Sequence, residues 1–407
     1  MTKIDKNKSD KDELDTGKTG RSTRLVHSGR PSRAAAGPVN PPVVRTSTVL
    51  FADVATMKDI QRRRETGERL LSYGRRGTDT AFALEDALAE LECGYRARLL
   101  PSGLAAIALV FLAYARPGEH VLIADSVYGP VRRVCKGFLD PFGIRYTFFA
   151  ADGSDLEAKI EADTRLIYAE CPGSLVFEMM DMRRAAAIAR ARGIVLAADN
   201  TWGSGWLYNP LALGADVSLL AATKYIVGHS DAMLGAVVTN EAAWTKLAAM
   251  ADTLGQVVSP DDAYLALRGL RTLAVRLPQH ERNARVLIDW FRQQPEVRTA
   301  YYPGLPGHPG HELWKRDFTG ACGLFSIEFQ GVTEAQTEHF IDALELFGLG
   351  ASWGGFESLV LPENVAASRT VADWSKHGPI VRFHAGLEDT DDLIADLERG
   401  MRALRAA

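Results

Sequence analysis

Two charged side chains stand at the ends of apolar segments that have the length of a β-strand. Lys224 follows the segment 216–220, and Asp199 follows the segment 194–198. In an α/β sheet the carboxyl ends of the strands are where ligands bind, and partial burial there lowers the pKa of a lysine toward that of a usable nucleophile. Taken singly, Lys224 could point to solvent from a loop and Asp199 could cap a helix or turn. Because the two residues lie at the ends of neighbouring strands, a catalytic role for the pair is favoured.

A phosphate-binding turn is predicted upstream of these residues. Ser102 and Gly103 precede a helix predicted over residues 104–115. The free N–H groups at the start of a helix, beside a glycine, bind phosphate well, and the Ser102 hydroxyl can add a hydrogen bond. Ser102 would also serve as an ordinary helix cap. An acid such as Asp199 is what enzymes that use pyridoxal phosphate place against the protonated ring nitrogen.

Arginines cluster in the segment that precedes these motifs. Tyr73 is followed by Arg75 and Arg76, which offer a phenol and two guanidiniums suited to a phosphate or a carboxylate. The arginine run 62–64 could form a nucleic-acid patch, but Glu65 interrupts it and a solvated helix face is the simpler interpretation. The whole chain carries 47 Lys and Arg against 51 Asp and Glu, a net charge of -4. Nucleic acid is therefore not expected as a partner.

Several standard catalytic signatures are absent from the sequence. There is no G-x-G-x-x-G, G-x-x-x-x-G-K-[ST], H-E-x-x-H or G-x-S-x-G motif, so nicotinamide, nucleoside triphosphate and serine hydrolase functions lose their usual support. His308 and His311 lack a third ligand and the 4 cysteines form no C-x-x-C pair, so no metal is expected. Sparse cysteines suit a reducing compartment, so the cytoplasm is the expected location. The sequence alone does not exclude a disulfide between cysteines that the fold brings together.

The chain is predicted to fold as an α/β protein with a second, smaller domain. Residues 1–22 are expected to be a disordered tail and residues 23–76 an arm without a core of its own. Over residues 77–270 apolar runs alternate with helix-like segments, which predicts a mostly parallel sheet with helices on both faces. Residues 271–407 are predicted to form an α+β C-terminal domain. The predicted strands are 120–124, 165–169, 194–198, 216–220, 323–329 and 380–385, and the predicted helices include 53–64, 79–93, 280–294 and one that begins after Asp181 and ends at Gly193.

Seven segments between about residues 23 and 402 resemble, in the same order, motifs of the Cys/Met-metabolism family of pyridoxal-phosphate enzymes. The segments are YGRRGT (73–78), LLPSGLAA (99–106), DSVYGP (125–130), AADNTW (197–202), AATKYIVGHSDAMLG (221–235), SWGGFESL (352–359) and VRFHAGLED (381–389). The agreement of all of them makes the resemblance specific. It implies the fold-type I transferase-like architecture, a mostly parallel sheet with helices on both faces plus a smaller α+β C-terminal domain.

The resemblance implies roles around the cofactor, pyridoxal 5'-phosphate. Lys224 matches the lysine that binds it covalently, Asp199 the carboxylate on its ring nitrogen and Tyr128 the tyrosine that stacks on its ring. Tyr73 and Arg75 match residues that reach the phosphate of a neighbouring subunit, which implies a homo-oligomer, usually a tetramer built as a dimer of dimers. The resemblance further implies that Lys224, Tyr128, Asp199 and Tyr73 are the catalytic residues. The other expected cofactor ligands are Ser102, Gly103, Leu104 and Thr223.

On the substrate side, Arg382 matches the arginine that binds the α-carboxylate of an amino acid. Ser352 and Trp353 are expected to line the substrate, and Arg76 either contacts its distal end or pairs with an acid. One position departs from the family pattern. Many relatives have serine three residues before the lysine, where this chain has Ala221. One phosphate hydrogen bond is therefore expected to be missing or replaced, with weaker cofactor retention.

The implied activity is that of a carbon–sulfur lyase acting by β-elimination on a thioether amino acid. With L-cystathionine the products would be L-homocysteine, pyruvate and ammonia. Trp353 favours the β-lyase branch, because γ-lyases and γ-synthases tend to have a smaller residue there. γ-Elimination or γ-replacement on the same scaffold is the alternative, and a cofactor-binding protein that has lost catalysis is a third. The expected partners are the small-molecule substrate and further copies of the chain, with no nucleic acid and no membrane.

Overall fold

A short helix near the start of the described residues is held against the body of the protein. The computed structural model describes residues 18–31 and 37–407, so most of the predicted tail lies outside the described residues. The first helix begins at Arg21, inside the predicted tail 1–22. The Arg21 guanidinium donates a 2.6 Å hydrogen bond to the carbonyl of Trp206. The helix therefore includes two residues that the composition assigns to the tail.

Helices and strands alternate through the larger half of the described chain. The helices are α1 (Arg21–His27), α2 (Val54–Glu65), α3 (Asp79–Leu91), α4 (Gly103–Tyr114), α5 (Gly129–Val134), α6 (Met182–Arg192) and α7 (Glu241–Leu254). The strands are β1 (Arg96–Leu100), β2 (His120–Ala124), β3 (Arg145–Phe149), β4 (Thr164–Glu170), β5 (Val195–Asp199), β6 (Val217–Leu220) and β7 (Gly235–Thr239). All four strands predicted for this half are present, with ends that differ by at most one residue.

These strands form one mixed, mostly parallel sheet. Its order is β1-β7-β6-β5-β4-β2-β3. Strand β7 runs antiparallel to both of its neighbours, β1 and β6, and the other pairs are parallel. Strand β2 is buried at every position, which requires cover on both faces of the sheet. The predicted α/β architecture is confirmed.

Local sequence signals set the ends of two helices. The Asp181 side chain accepts a 3.1 Å hydrogen bond from the Arg184 N–H and so begins α6, which ends at Gly193 with a φ of 64°. Helix α4 begins in the same way, because the Ser102 hydroxyl accepts a 3.1 Å bond from the Ala105 N–H. Both capping residues had been predicted as such from their type and position.

The C-terminal half carries a second sheet. Its helices are α8 (Pro260–Leu270), α9 (Leu273–Phe291), α10 (His311–Asp317), α11 (Glu334–Asp342), α12 (Val365–Ser368) and α13 (Thr390–Ala406). Its strands are β8 (Val297–Tyr301), β9 (Leu324–Phe329), β10 (Gly348–Leu349), β11 (Leu359–Glu363) and β12 (Ile380–His384), in the order β10-β11-β12-β9-β8. Strand β10 is parallel to β11, and the other pairs are antiparallel.

The predicted helix 280–294 is wrong at its start. Helix α9 begins at Leu273 and runs through Pro278. Leu273 and Leu277 are fully buried, so core packing extends the helix across the proline. The predicted domain limit at residue 270 falls between α8 and α9 and stays a prediction. Within the described residues, no helix combines the length and the apolar character that crossing a membrane needs.

Candidate active site

The carboxyl ends of β5 and β6 bring the predicted lysine and carboxylate to one cavity. Asp199 is the last residue of β5, and Lys224 follows the end of β6, the strand that pairs with β5. The cavity has a volume of about 230 Å³. The predicted site residues that line it are Lys224, Asp199, Tyr128, Ser102, Gly103, Leu104, Thr223, Trp353 and Arg382.

Asp199 is buried with neutral partners. The Thr201 hydroxyl donates a 2.6 Å hydrogen bond to Oδ1, the Thr201 N–H donates a 2.9 Å bond to the same atom, and the Tyr168 hydroxyl lies 3.5 Å from Oδ2. Burial raises the pKa of Asp199 above its ordinary value. A cationic N–H on the cavity side would favour the ionised carboxylate, so the site fits a protonated ring nitrogen.

Thr201 connects this acid to the turn that carries the lysine, and the sequence analysis did not single it out. Its hydroxyl donates to Asp199 and accepts a 2.9 Å hydrogen bond from the Ala221 N–H. Because Ala221 lies three residues before Lys224, the two ends of the site are held together by one side chain. The only sequence signal was an acid followed two residues later by a threonine, which is also a common turn pattern.

Lys224 lies where its amine is easily deprotonated. Its Nζ donates a 2.7 Å hydrogen bond to the Ser352 hydroxyl and lies 5.4 Å from the centre of the Trp353 ring. Burial, assisted by the positive charge of Arg382, lowers the pKa of Lys224 to about 8. Trp353 packs on the buried ring of Tyr225 at 5.5 Å, which fixes the indole beside the amine. The predicted pair Ser352 and Trp353 is thus found beside the lysine amine.

The predicted phosphate turn packs closely against the lysine turn. The first N–H groups of a helix have no acceptor within it. At the start of α4 the Ser102 hydroxyl accepts from the Ala105 N–H, which leaves the N–H groups of Gly103 and Leu104 for a ligand. A Cβ on Gly103 would lie 2.6 Å from the Cβ of Ala221, so no larger residue fits there. The free N–H groups at the start of α4 fit an anion beside Ala221.

Thr223 lines the cavity, but its hydroxyl is engaged with the chain. It accepts a 2.9 Å hydrogen bond from the Leu234 N–H and donates a 3.1 Å bond to the Leu234 carbonyl. The hydroxyl would have to turn its hydrogen away from that carbonyl to bind a phosphate. Its role as a phosphate ligand stays a prediction.

Tyr128 directly precedes α5, lines the cavity and is bonded through its backbone to a carboxylate that the sequence analysis missed. Its N–H donates a 2.6 Å hydrogen bond to Glu170 Oε2. Burial raises the pKa of Tyr128, and burial together with the charge of Asp199 raises the pKa of Glu170 well above its ordinary value. Glu170 ends β4 opposite Asp199 on β5, so only the strand register brings it to the site.

Among the described residues, two arginines line the cavity, and the sequence analysis predicted one of them. The Arg382 guanidinium, on β12, lies 3.3 Å from the Glu363 carboxylate on β11. Burial lowers the pKa of Arg382 and raises that of Glu363. Arg133, on the exposed side of α5, is the second arginine, and both guanidinium charges act on the phenol of Tyr128. Neither Glu363 nor Arg133 belongs to a motif with a distinctive spacing.

Four predicted residues are not among those that line the cavity. One is Ser352, which contacts the Lys224 amine directly, and the other three lie on the arm. Tyr73, Arg75 and Arg76 are exposed on and beside the turn Gly74–Arg76, where the Gly74 N–H donates a 2.8 Å bond to the Ser47 carbonyl. The Arg75 guanidinium lies 5.9 Å from the centre of the Tyr73 ring. Their predicted roles depend on a neighbouring subunit and stay predictions.

The model of the Cys/Met metabolism PLP-dependent enzyme family matches residues 22–402. The chain belongs to this family. A cystathionine beta-lyase of Bordetella avium is 48% identical over 93% of this chain and 96% of its own length. A cystathionine beta-lyase of Escherichia coli strain K12 is 42% identical over 93% of this chain and 97% of its own length. A solved cystathionine gamma synthase of Xanthomonas oryzae pv. oryzae, in complex with cystathionine, superposes with a TM-score of 0.85 at 32% identity, over 95% of this chain and 98% of that chain.

Membership of the Cys/Met metabolism family makes this chain an enzyme that uses pyridoxal phosphate, as the sequence predicts. Three independent observations show that the residues around the cavity fit this cofactor. Lys224 offers an amine with a lowered pKa, and Asp199 is a buried acid that has no cationic partner among the residues that the structure describes. Gly103 opens a helix whose first N–H groups have room for an anion.

Proposed function

We propose that the chain is a cystathionine β-lyase, which cleaves L-cystathionine and water into L-homocysteine, pyruvate and ammonia. The observation that carries this proposal is the position of Trp353, whose ring lies 5.4 Å from the Lys224 amine and is fixed by Tyr225. An indole at that place narrows the cavity beside the reacting carbons. The relatives at 48% and 42% identity, which are named cystathionine beta-lyases, support the same conclusion.

In the proposed reaction each residue performs a step that its environment favours. Arg382 binds the α-carboxylate of the substrate and presents the hydrogen on Cα to the lysine. The Lys224 amine, with its pKa near 8, accepts that proton and then protonates the departing thiolate. Asp199 keeps a proton on the cofactor ring by offering a buried carboxylate. When bound, pyridoxal phosphate supplies the electron sink that stabilises negative charge at the substrate Cα.

The second arginine supports a substrate with two carboxylates. Cystathionine carries an amino acid group at each end, and the cavity offers Arg382 at depth and Arg133 on its exposed side. We assign the distal carboxylate to Arg133 rather than to Arg76, since Arg76 is not among the residues that line the cavity. γ-Elimination or γ-replacement remains the alternative, because the superposed γ synthase shares the fold and binds cystathionine.

We also propose that the active enzyme is a homo-oligomer, a dimer of dimers, in which Tyr73 and Arg75 serve a neighbouring site. The arm exposes large apolar side chains that a partner would cover. Leu50 is 91% exposed and Val54 is 62% exposed. The cysteines are all free in the described chain, which agrees with a cytoplasmic location. Light scattering on the purified enzyme would give the oligomeric state directly.

A comparison of substrates tests the proposed function. Pyruvate release is followed for L-cystathionine, L-cystine and L-cysteine with the enzyme saturated in pyridoxal phosphate. We expect the highest kcat/KM for L-cystathionine, and we expect Arg133→Ala to lower it for that substrate much more than for L-cysteine, which has a single carboxylate. A higher kcat/KM for L-cysteine, or an equal effect of Arg133→Ala on both, would contradict the assignment.

A further inference from the structure

The segment 369–372, which follows α12, spans two loops of the larger sheet. One of these loops is 125–128, which leads into Tyr128, and the other is 172–178, which forms part of the cavity wall. The segment itself belongs to the C-terminal half and leads to β12, the strand of Arg382. It therefore connects the arginine side of the cavity to the tyrosine side. No part of the proposed reaction uses it directly.

Asp125 holds this segment by its backbone. The Asp125 carboxylate is 1% exposed and accepts hydrogen bonds from the N–H groups of Thr370 at 2.9 Å and Val371 at 2.9 Å, from the Thr370 hydroxyl at 2.8 Å and from Arg132 at 2.6 Å. Burial alone would raise the pKa of Asp125, but these hydrogen bonds hold it below its ordinary value. Every partner is a donor, so the site requires a group that only accepts.

Arg369 holds the second loop from the same segment. Its side chain is fully buried and donates to both carboxylate oxygens of Glu178 at 2.8 Å. It also donates a 2.6 Å bond to the Ser174 carbonyl. The Ser174 N–H in turn donates a 2.7 Å bond to the Ser126 carbonyl, which joins the two loops to each other. The three parts form one hydrogen-bonded unit.

Two of the parts joined in this hydrogen-bonded unit carry residues that line the cavity. Ser174 lines the cavity, and Tyr128 follows Asp125 by three residues on the loop that the segment holds. Tyr128 and Arg382 lie close enough for the charge of each to shift the pKa of the other. The segment 369–372 thus fastens the loop of Tyr128 to the stretch of chain that leads to Arg382.

We propose that Asp125 and Arg369 are positioning residues of the active site, which set the spacing between Tyr128 and Arg382 by fastening the segment 369–372 across the cavity wall. The proposal rests on the proposed function for the roles of Tyr128 and Arg382. Its consequence is that loss of either anchor changes cofactor and substrate binding, in addition to any loss of stability.

The test compares two buried aspartates with similar surroundings. Asp396 is 2% exposed and accepts hydrogen bonds from the N–H groups of Glu345, Leu346 and Phe347, but it is not among the residues that line the cavity. Asp125→Asn and Asp396→Asn each place an amide against N–H donors, so both should lower the thermal midpoint to a similar extent. We expect only Asp125→Asn to raise the KM for L-cystathionine and the Kd for pyridoxal phosphate, by about tenfold each.

The outcomes separate the proposal from a purely structural role. Wild-type KM and cofactor Kd in Asp125→Asn, or the same changes in Asp396→Asn, would overturn it. The cofactor Kd is measured by absorbance without substrate, so it tests the proposal even if the wild type has no β-lyase activity. If Asp125→Asn does not fold, Thr370→Val removes one bond to Asp125 and Thr370→Ser retains it. We then expect a cofactor Kd raised about threefold in Thr370→Val and unchanged in Thr370→Ser, and equal values in the two variants would overturn the proposal.

Discussion

The amine of Lys224 donates a 2.7 Å hydrogen bond to the hydroxyl of Ser352, and this bond crosses between the two halves of the protein. Lys224 follows a strand of the larger sheet, whereas Ser352 lies between β10 and β11 of the smaller one. Two residues further on, Gly354 packs directly against the backbone of Lys224. The position of the reactive amine therefore depends on a loop of the C-terminal half.

Gly354→Ala should displace the lysine. A Cβ at this position would lie 2.8 Å from the Tyr225 nitrogen, and the φ of Gly354 is 86°. Gly118 has a φ of 87° with no atom near the added Cβ, so Gly118→Ala is a matched control for backbone strain. We expect each substitution to cost about 1 kcal/mol or more in the free energy of unfolding, and only Gly354→Ala to lower kcat, by about tenfold or more. Equal kcat values in the two variants would contradict this account.

The rate at which cofactor-free protein captures pyridoxal phosphate should follow the neutral fraction of the Lys224 amine. The pKa of this amine is lowered to about 8 because the group is buried and lies near the charge of Arg382. The protonated form therefore predominates below pH 8, and the neutral nucleophile predominates above it. We expect the capture rate to rise about tenfold per pH unit below pH 8 and to level off above it. Stopped-flow absorbance measures this rate. A capture rate that continues to rise up to pH 10 would show that the pKa of Lys224 is not lowered.

Ala221→Ser should strengthen cofactor retention. The Cβ of Ala221 faces Gly103 at the start of α4, so an added hydroxyl there is well placed to donate to a bound phosphate. One such bond lowers the Kd for pyridoxal phosphate about fivefold, without a change in kcat at saturating cofactor. Ala351→Ser adds a hydroxyl elsewhere on the cavity wall and should leave the Kd unchanged. An unchanged Kd in Ala221→Ser would mean that the phosphate does not bind beside residue 221.

Substitution of Arg382 by lysine should affect substrate binding more than turnover. Lysine retains the charge but cannot form the paired hydrogen bonds that a guanidinium makes with a carboxylate. We expect the KM for L-cystathionine to rise by about tenfold or more in Arg382→Lys, with a smaller change in kcat. Steady-state kinetics with pyruvate detection measures both constants. A normal KM with a lowered kcat would contradict the role of Arg382 as the carboxylate ligand.

Glu363 should act on the substrate through Arg382, since its carboxylate lies 3.3 Å from that guanidinium. Glu363→Gln retains an oxygen acceptor at the same place, whereas Glu363→Ala removes it. We therefore expect the KM for L-cystathionine to be near the wild-type value in Glu363→Gln and several-fold higher in Glu363→Ala. If both variants match the wild type, the ion pair has no part in positioning Arg382.

The sequence predicted those parts of the site that a local signal marks. Lys224 and Asp199 follow apolar runs that are strands, and Ser102 is a helix cap, so each was found from its own neighbours. Glu170 and Glu363 were missed because only strand register brings them to their partners. The pairing of distant segments depends on the whole fold, which short patterns do not encode.

The same distinction applies to the helices and to the arginines. The limits of α6 follow from Asp181 and Gly193, whose roles are local. The predicted start of α9 was wrong because the burial of Leu273 and Leu277 extends that helix through a proline. Arg133 lies five residues after Tyr128 with no motif of its own, and only the shape of the cavity assigns it to the site.

The products formed from L-cystathionine test the proposed function most directly. Purified enzyme is incubated with L-cystathionine and pyridoxal phosphate, and the keto acids and thiols are quantified beside a Lys224→Ala control. We expect pyruvate and homocysteine in equal amounts from the wild type and neither from Lys224→Ala. Formation of 2-oxobutanoate and cysteine, or pyruvate at the same rate in Lys224→Ala, would contradict the proposal.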